Sequence, residues 1–271
     1  SIAANYAHSV KNLKFDFIEL PDWNCFGSYL REELNKNNVQ YKKLILALHG
    51  NISDTLKFNN LDKYALEKIK YLELKQISTV DHVYGISYDY IQYWQKKIDK
   101  KINFFDPIQF INLNKIIDIQ EKKIKKNNAV KPNIYNIGRF EKRKGHEIFI
   151  DTLNYLDQNI YDKTFIIGSG SEKYSVYLEN IIKDRSLNTK VLRDKNNLEI
   201  LDILNQNAVI YLPVQYDSFN LVALESILSA CPTIISDKAG VCKYLDKFYP
   251  NLSYLKINLD NYSNEISKIS D

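Results

Sequence analysis

Asp217 and Glu225 are separated by seven residues in the stretch Asp217-Ser218-Phe219-Asn220-Leu221-Val222-Ala223-Leu224-Glu225. Asp217 falls in a loop after the apolar run Ala208 to Leu212, whereas Glu225 falls inside an apolar-faced helix. A helix that begins near Asn220 aims its free backbone N–H groups and the positive end of its dipole at that loop. Such a terminus holds phosphate, which makes Ser218, Phe219, Asn220, Leu221 and Val222 its binding residues. Glu225 lies about one and a half turns further in, too deep for the phosphate, and is placed to accept hydrogen bonds from hydroxyl groups. Phosphate at the helix tip and hydroxyls beside Glu225 together describe a nucleotide sugar. As an alternative, Glu225 is a helix carboxylate paired with a lysine.

Further chemistry-bearing residues occur upstream in Gly138-Arg139-Phe140-Glu141-Lys142-Arg143-Lys144-Gly145. Gly138 follows an apolar run and is free to take a positive φ. Arg139 offers a planar fork for phosphate oxygens, and Lys144 a compact cation at the same loop. Alone, both cations read as solvated; with the Asp217 to Glu225 segment in register they read as diphosphate ligands. Lys142 and Arg143 are expected to face solvent, and His146 is expected at the surface. His49 closes the apolar run Leu44 to Leu48 and precedes Gly50, a position suited to a hydrogen bond with a sugar or an acceptor. Its plainer reading is structural. Asp22 and Trp23 fall in a loop of the same half, where Trp23 could stack on a sugar face or simply pack.

Short apolar strands alternating with amphipathic helices must position these groups, which argues a parallel α/β sheet. Strands are expected near Phe15–Ile18, Leu44–Leu48 and His82–Ile86, with a helix from Leu61 to Ile77 carrying Leu61, Ala65, Ile69 and Leu72 on one stripe. A Lys-rich helical stretch, Ile111 to Asn128, follows a connection near Asp106-Pro107. Beyond it strands are expected at Ile134–Ile137, Thr164–Ile167, Lys190–Leu192, Val209–Leu212 and Thr233–Ile235, and a sixth at Tyr254–Ile257. The chain therefore divides into residues 1–108 and 109–271, the second a doubly wound domain that binds ligands at the carboxyl ends of its strands.

Four segments in register resemble the family 4 retaining glycosyltransferases. Asp217 to Glu225 resembles their Glu-x7-Glu segment, with Asp217 in place of the first Glu and Asn220 in place of a usual Gly. Tyr135-Asn136-Ile137-Gly138-Arg139 through Lys144-Gly145 resembles the Gly-Arg…Lys-Gly loop, Phe165-Ile166-Ile167-Gly168-Ser169-Gly170 the strand ending in Gly-x-Gly, and Ala239-Gly240-Val241 the small-residue loop after the next strand. Phe15 to Trp23, Leu44 to Gly50 and Val80 to Ser87 resemble N-terminal strands of the family less sharply. The resemblance implies the GT-B fold, two Rossmann-like domains facing a cleft, here with the N-terminal domain truncated and the closing C-terminal helices cut short. It implies metal-independent sugar transfer with retention from a nucleotide-diphosphate sugar, UDP or GDP as the nucleotide, to a glycan or lipid-linked acceptor. By the same resemblance Arg139 and Lys144 hold the diphosphate, Asp217 touches sugar hydroxyls, Glu225 takes the ribose, and His49 lies near the reacting sugar. Gly168, Ser169 and Gly170 then line the nucleotide through their backbone.

Composition narrows the classes. The 37 basic and 33 acidic residues give a net charge of +4, too balanced to argue for nucleic acid. The clusters Lys122-Lys123, Lys125-Lys126 and Lys142-Arg143-Lys144 read as solvated surface, with attraction to an anionic membrane as the alternative. No apolar run approaches the roughly 20 residues needed to span a bilayer. Cys25, Cys231 and Cys242 have no metal-ligand spacing and fit a reducing compartment. The chain is therefore expected in the cytoplasm, with the inner face of the membrane as a further possibility. No Asp-x-Asp that would carry a metal is present. Two other functions compete: a non-catalytic nucleotide-sugar-binding or interaction module of a larger protein, favoured by Asp217 and Asn220, and a nucleotide-sugar epimerase of the same fold.

Overall fold

The computed structural model describes residues 2–50, 52–59, 62–124 and 130–270. The chain forms two compact units, Ser1–Pro107 and Ile108–Asp271.

Unit 1 runs α1 (Ile2–Ser9), β1 (Lys14–Pro21), α2 (Leu30–Lys36), β2 (Gln40–Leu48), α3 (Ile52–Leu56), α4 (Lys63–Thr79), β3 (His82–Gly85), α5 (Tyr88–Gln95) and β4 (Ile102–Phe104). Its four strands are parallel and lie in the order β1-β2-β3-β4. Right-handed crossovers between strands adjacent in both sequence and space send their helices to one side of the sheet. Accordingly Ala7, Leu34, Ile77 and Trp94 of α1, α2, α4 and α5 share one core with Ile18, Leu20, Leu44, Leu46, Leu48, Val83 and Ile102. The opposite side carries Phe17, 63% exposed, with exposed Glu19 and half-buried Ile45 and Tyr84. There the Tyr84 hydroxyl donates to Glu19 at 3.0 Å.

Two expectations change here. Strand β4, only three residues long, is an addition to the expected strands. The helix expected from Leu61 is α4; Leu61 itself lies outside the described residues. Asp62 caps this helix, accepting from the Ala65 N–H at 2.9 Å. The buried residues of α4 are Glu73, Gln76 and Ile77 and not an all-apolar stripe.

Unit 2 runs α6 (Leu113–Ile124), β5 (Asn133–Ile137), α7 (His146–Leu153), β6 (Thr164–Gly168), α8 (Glu172–Asp184), β7 (Thr189–Arg193), α9 (Asn197–Leu204), β8 (Ala208–Leu212), α10 (Leu221–Leu228), β9 (Thr233–Ser236), α11 (Gly240–Phe248), β10 (Leu255–Ile257) and α12 (Tyr262–Ser270). The Lys125, Lys126 and Asn128 positions of the expected Lys-rich helix lie outside the described residues. The six strands are parallel in the order β10-β9-β8-β5-β6-β7. One sheet face carries Ile134, Ile166 and Tyr211, which pack with Phe149, Ile150 and Leu178 of the flanking helices. By alternation the other carries Tyr135, Ile137, Ile167, Ile210 and Leu212, also buried. Burial on both faces explains why these strands read as near-continuous apolar runs. The strand order reverses between β5 and β8. Chains leaving those two strands therefore diverge to opposite faces and open a crevice at their carboxyl ends. No helix among the described residues is long and apolar enough to cross a membrane.

Candidate functional site

The crevice of unit 2 is built from the loops after β5, β6 and β8. Beyond β5 the Gly138 N–H donates to Ile167 O at 2.9 Å and the Phe140 N–H to Ser169 O at 2.8 Å, so the first two loops rise together. A Cβ on Gly168 would stand 2.3 Å from the Gly138 carbonyl oxygen. The left-handed conformations belong to Gly145 (φ 74) and Gly170 (φ 109). Gly138 is not among the positive-φ residues, which corrects the role expected of it. Its lack of a side chain instead admits the stem of Lys144, whose Cγ and Cδ would lie 3.4 Å from a Cβ there. Gly145 is held tightly: a Cβ would fall 1.9 Å from the Pro213 carbonyl oxygen. The β5 and β8 loops thus meet with no intervening space.

Charge concentrates where they meet. Lys144 Nζ bonds Asp217 Oδ2, and both side chains are largely buried, at 13% and 9% exposure. The guanidinium of Arg143 donates through Nε to Glu141 at 2.7 Å and through a terminal nitrogen to Tyr216 O at 3.2 Å. A terminal nitrogen of Arg143 also lies 3.8 Å from Asp217 Oδ1. Arg139 Nε lies 3.2 Å from the other oxygen of Glu141, with its side chain 48% exposed. Three cations therefore surround two carboxylates. Burial alone would raise the Asp217 carboxyl, but the Lys144 and Arg143 charges outweigh it and hold Asp217 below its usual range. Burial, with Arg143 and Arg139 adding to it, keeps the Lys144 ammonium below its usual value although Asp217 opposes this. A cationic excess inside a poorly hydrated crevice is a receptor for an anion.

Two expectations about this loop are corrected. Lys142 is exposed, as foreseen, but Arg143 is buried; Glu141, Tyr216 O and Asp217 supply the partners that make its burial affordable. His146 is fully buried rather than superficial. Its Nε2 sits 2.8 Å from Arg139 O and its Nδ1 meets Asn136 Oδ1, so it fixes the turn that presents Arg139. Burial pushes its pKa down to about 4.

The third part of the crevice is the start of α10. Asn220 adopts φ 80 and its side chain accepts from the Ala223 N–H at 2.9 Å. It thus does two jobs: it tolerates the left-handed backbone and caps the helix. The cap satisfies one of the orphan donors of the first turn, which Leu221 and Val222 begin. Phe219 is buried against Tyr244, with ring centroids 5.3 Å apart, and is a packing residue. Further along, Glu225 is buried and accepts from Asn197 Nδ2 at 2.9 Å, not from a lysine. Burial raises the Glu225 carboxyl, with the Asn197 bond opposing.

The structure thus gathers Gly138, Arg139, Lys144, Gly168, Ser169, Gly170 and Asp217 to Val222 at one end of one sheet. Glu225 stands behind them on α10. His49 belongs to unit 1, where it is exposed; partial desolvation lowers its imidazole pKa, with Glu19 opposing. Reasoning from residue types did not single out Asn136, Glu141 or Asn197. For Asn197 a signal existed: Asn196 and Glu199 form a capping box, which marks a helix start beside the crevice. Among the described residues no cluster of three His, Cys, Asp or Glu could hold a metal ion.

Comparison with known proteins follows the same lines. The family model for glycosyl transferases group 1 matches residues 118–270, more than half of the 271 residues. An uncharacterized 41.2 kDa protein in the cps region of Klebsiella pneumoniae is 28% identical over 162 residues, which span 57% of this chain and 42% of that protein. Sucrose-phosphate synthase from Thermosynechococcus elongatus superposes with a TM-score of 0.70 at 16% identity, over 93% of this chain and 63% of that one. An alpha,alpha-trehalose-phosphate synthase (UDP-forming) from Burkholderia xenovorans, in complex with glucose-6-phosphate, gives 0.69 at 15% identity, over 99% and 69%. The fold is thereby that of GT-B glycosyltransferases, and the chain spans less than half of the curated relative and about two thirds of the solved structures.

Proposed function

The chain belongs to the glycosyl transferases group 1 family, and on that premise we propose that unit 2 binds a nucleotide-diphosphate sugar and that the sugar passes, with retention and without a metal ion, to a glycan or lipid-linked acceptor received by unit 1. The observation that carries this reading is the ion pair of Lys144 and Asp217. It joins the loops after β5 and β8 at the point where the strand order reverses, beside Arg139 and the first turn of α10. Transfer breaks the bond between the anomeric carbon and the diphosphate oxygen. The leaving phosphate gains negative charge while the sugar becomes oxocarbenium-like. Arg139, Lys144 and the N–H groups of Leu221 and Val222 stabilise that charge, each fixed donor lowering the barrier by about 3 kcal/mol on the scale of oxyanion sites. Glu225 accepts from the ribose hydroxyls, and Asp217 from the hydroxyls of the sugar. His49 touches the reacting sugar or its acceptor. The UDP-forming activity named for the trehalose-phosphate synthase makes UDP the first nucleotide to try.

A second reading, a nucleotide-sugar-binding module without turnover, is favoured by one observation. Asp217, one methylene shorter than the Glu of the pattern it resembles, is largely buried and paired with Lys144. Calorimetric titration with UDP, GDP and ADP tests the donor site. One nucleotide is expected to bind, and to be lost in the Arg139→Ala, Lys144→Ala double variant. Binding of none, or equal binding by the variant, would overturn the assignment. A turnover screen with sugars of the bound nucleotide then separates the two readings.

A further inference from the structure

A buried polar cluster that this reading leaves unused lies in unit 1. Asp22, just after β1, and Glu73, on α4, are each 2% exposed. Neither forms an ion pair among the described residues. Both instead receive hydrogen bonds from the backbone that follows β2. Asp22 Oδ1 accepts the His49 N–H at 3.0 Å; Oδ2 accepts the Gly50 N–H at 3.2 Å and the Tyr90 hydroxyl at 3.0 Å. Glu73 Oε1 accepts the Ser53 N–H at 2.9 Å and Oε2 the Ser53 hydroxyl at 2.8 Å, and the Ile52 N–H also donates to Glu73. Gln76, three residues beyond Glu73, donates to the backbone carbonyl of Asp22 at 2.9 Å, holding α4 against the chain that leaves β1. Gly50 has φ 151, in a region that is open mainly to glycine.

Two carboxylates without a cation are an expensive way to fill a helix–sheet interface, which apolar side chains of similar size would fill at less cost. What they provide is geometry. Each is a bidentate acceptor, and between them they fix the backbone on either side of the segment that begins with His49. We propose that Asp22 and Glu73 are positioning residues for His49: they clamp the backbone at His49 and Gly50 and at Ile52 and Ser53 and so hold the imidazole in one place for transfer. The role of His49 in transfer is taken from the proposed function above, whereas the clamp stands on the contacts themselves. Both carboxylates are buried, so their effect is expected on turnover and not on nucleotide binding.

The test uses Asp22→Asn and Glu73→Gln in the full chain, with amide hydrogen exchange by NMR, nucleotide calorimetry and steady-state kinetics. Exchange at His49, Gly50 and Ser53 is expected to accelerate at least about tenfold, while the amides within β1 and β2 keep their protection. Nucleotide affinity should stay as in the parent chain, and kcat should fall by about tenfold or more with the donor KM little changed. Asp22→Glu, which keeps the carboxylate, should recover part of both effects. If Asp22→Asn does not fold, Tyr90→Phe removes one donor from the same carboxylate and should give the same pattern in weaker form. Unchanged exchange at these amides, or faster exchange with undiminished kcat, overturns the proposal. Absence of turnover in the parent chain would overturn the transfer reading instead, and the exchange data would still decide whether the clamp exists.

Discussion

Asp217 holds Lys144 directly and Arg143 at 3.8 Å. Its removal leaves two buried cations facing one another, and breaking a buried pair in this way costs about 3–5 kcal/mol. Asp217→Ala is therefore expected to lower the stability of unit 2 by roughly that amount in denaturant titration. A bound nucleoside diphosphate supplies the missing negative charge, so UDP or GDP should raise the midpoint of the variant more than that of the parent chain. Equal shifts would mean that the phosphates do not lie beside Lys144. Spacing made Asp217, Lys144 and Glu225 legible in the sequence. It could not separate Lys142 from Arg143, since adjacent cations in a turn look alike until Glu141 and the Tyr216 carbonyl show which one turns inward. The burial of His146 was equally hidden, because its partners Asn136 and Arg139 O are supplied by the fold. Asn220 is instructive in the other direction. Its type departs from the glycine expected there, yet asparagine is one of the few other residues that accept the left-handed backbone, and it caps α10 as well.

At the scale of elements, β5, β6, β8 and β9 were legible because each is a short apolar run largely buried on both faces. The three-residue β4 and the polar buried side of α4 were not. Glu73 and Gln76 read as solvent-facing helix residues until Ser53 and Asp22 are placed beside them. The turn from β5 into α7 hinges on Gly145, where a positive φ and contact with Pro213 exclude any side chain. Gly145→Ala is expected to separate the β5 and β8 loops or prevent unit 2 from folding, seen as loss of soluble protein or of cooperative unfolding, while Gly138→Ala, whose Cβ would meet the Lys144 stem at 3.4 Å, should be far milder. Equal tolerance at the two positions would contradict the packing described. Position directly after a strand makes Gly138 the expected hinge, but contact with Pro213 after β8, invisible in one dimension, assigns that role to Gly145.

Taken as a whole, the molecule buries groups that make opposite pH demands. Burial lifts the Asp22 carboxyl from 3.8 to about 7, with the His49 and Gly50 N–H bonds and the Tyr90 bond opposing and nearby Glu73 adding to the rise. Burial, with the same two carboxylates adding to it, pushes the Cys25 thiol up to about 12. A carboxyl whose folded pKa exceeds its unfolded value binds its proton more tightly in the native state. Its contribution is fully present below about pH 4 and is lost as the pH rises through 7. Glu73, also raised by burial, acts with the same sign. Asp217 acts with the other: its contribution is present above the ordinary carboxylate range and is lost only in stronger acid. Unit 1 should therefore have a higher denaturation midpoint at pH 5 than at pH 8, and the difference should shrink in Asp22→Asn. Equal midpoints at the two pH values would rule out the burial assigned to that carboxyl. A further consequence comes from the sheet of unit 1, whose helices all lie on one side. Dyes such as ANS that brighten on apolar surface should find exposed Phe17, beside half-buried Ile45 and Tyr84, on the other side of that sheet in a fully native chain. In this protein such fluorescence would not report a molten state, and near-UV ellipticity, which follows fixed side-chain packing, is the quantity that tells the two apart.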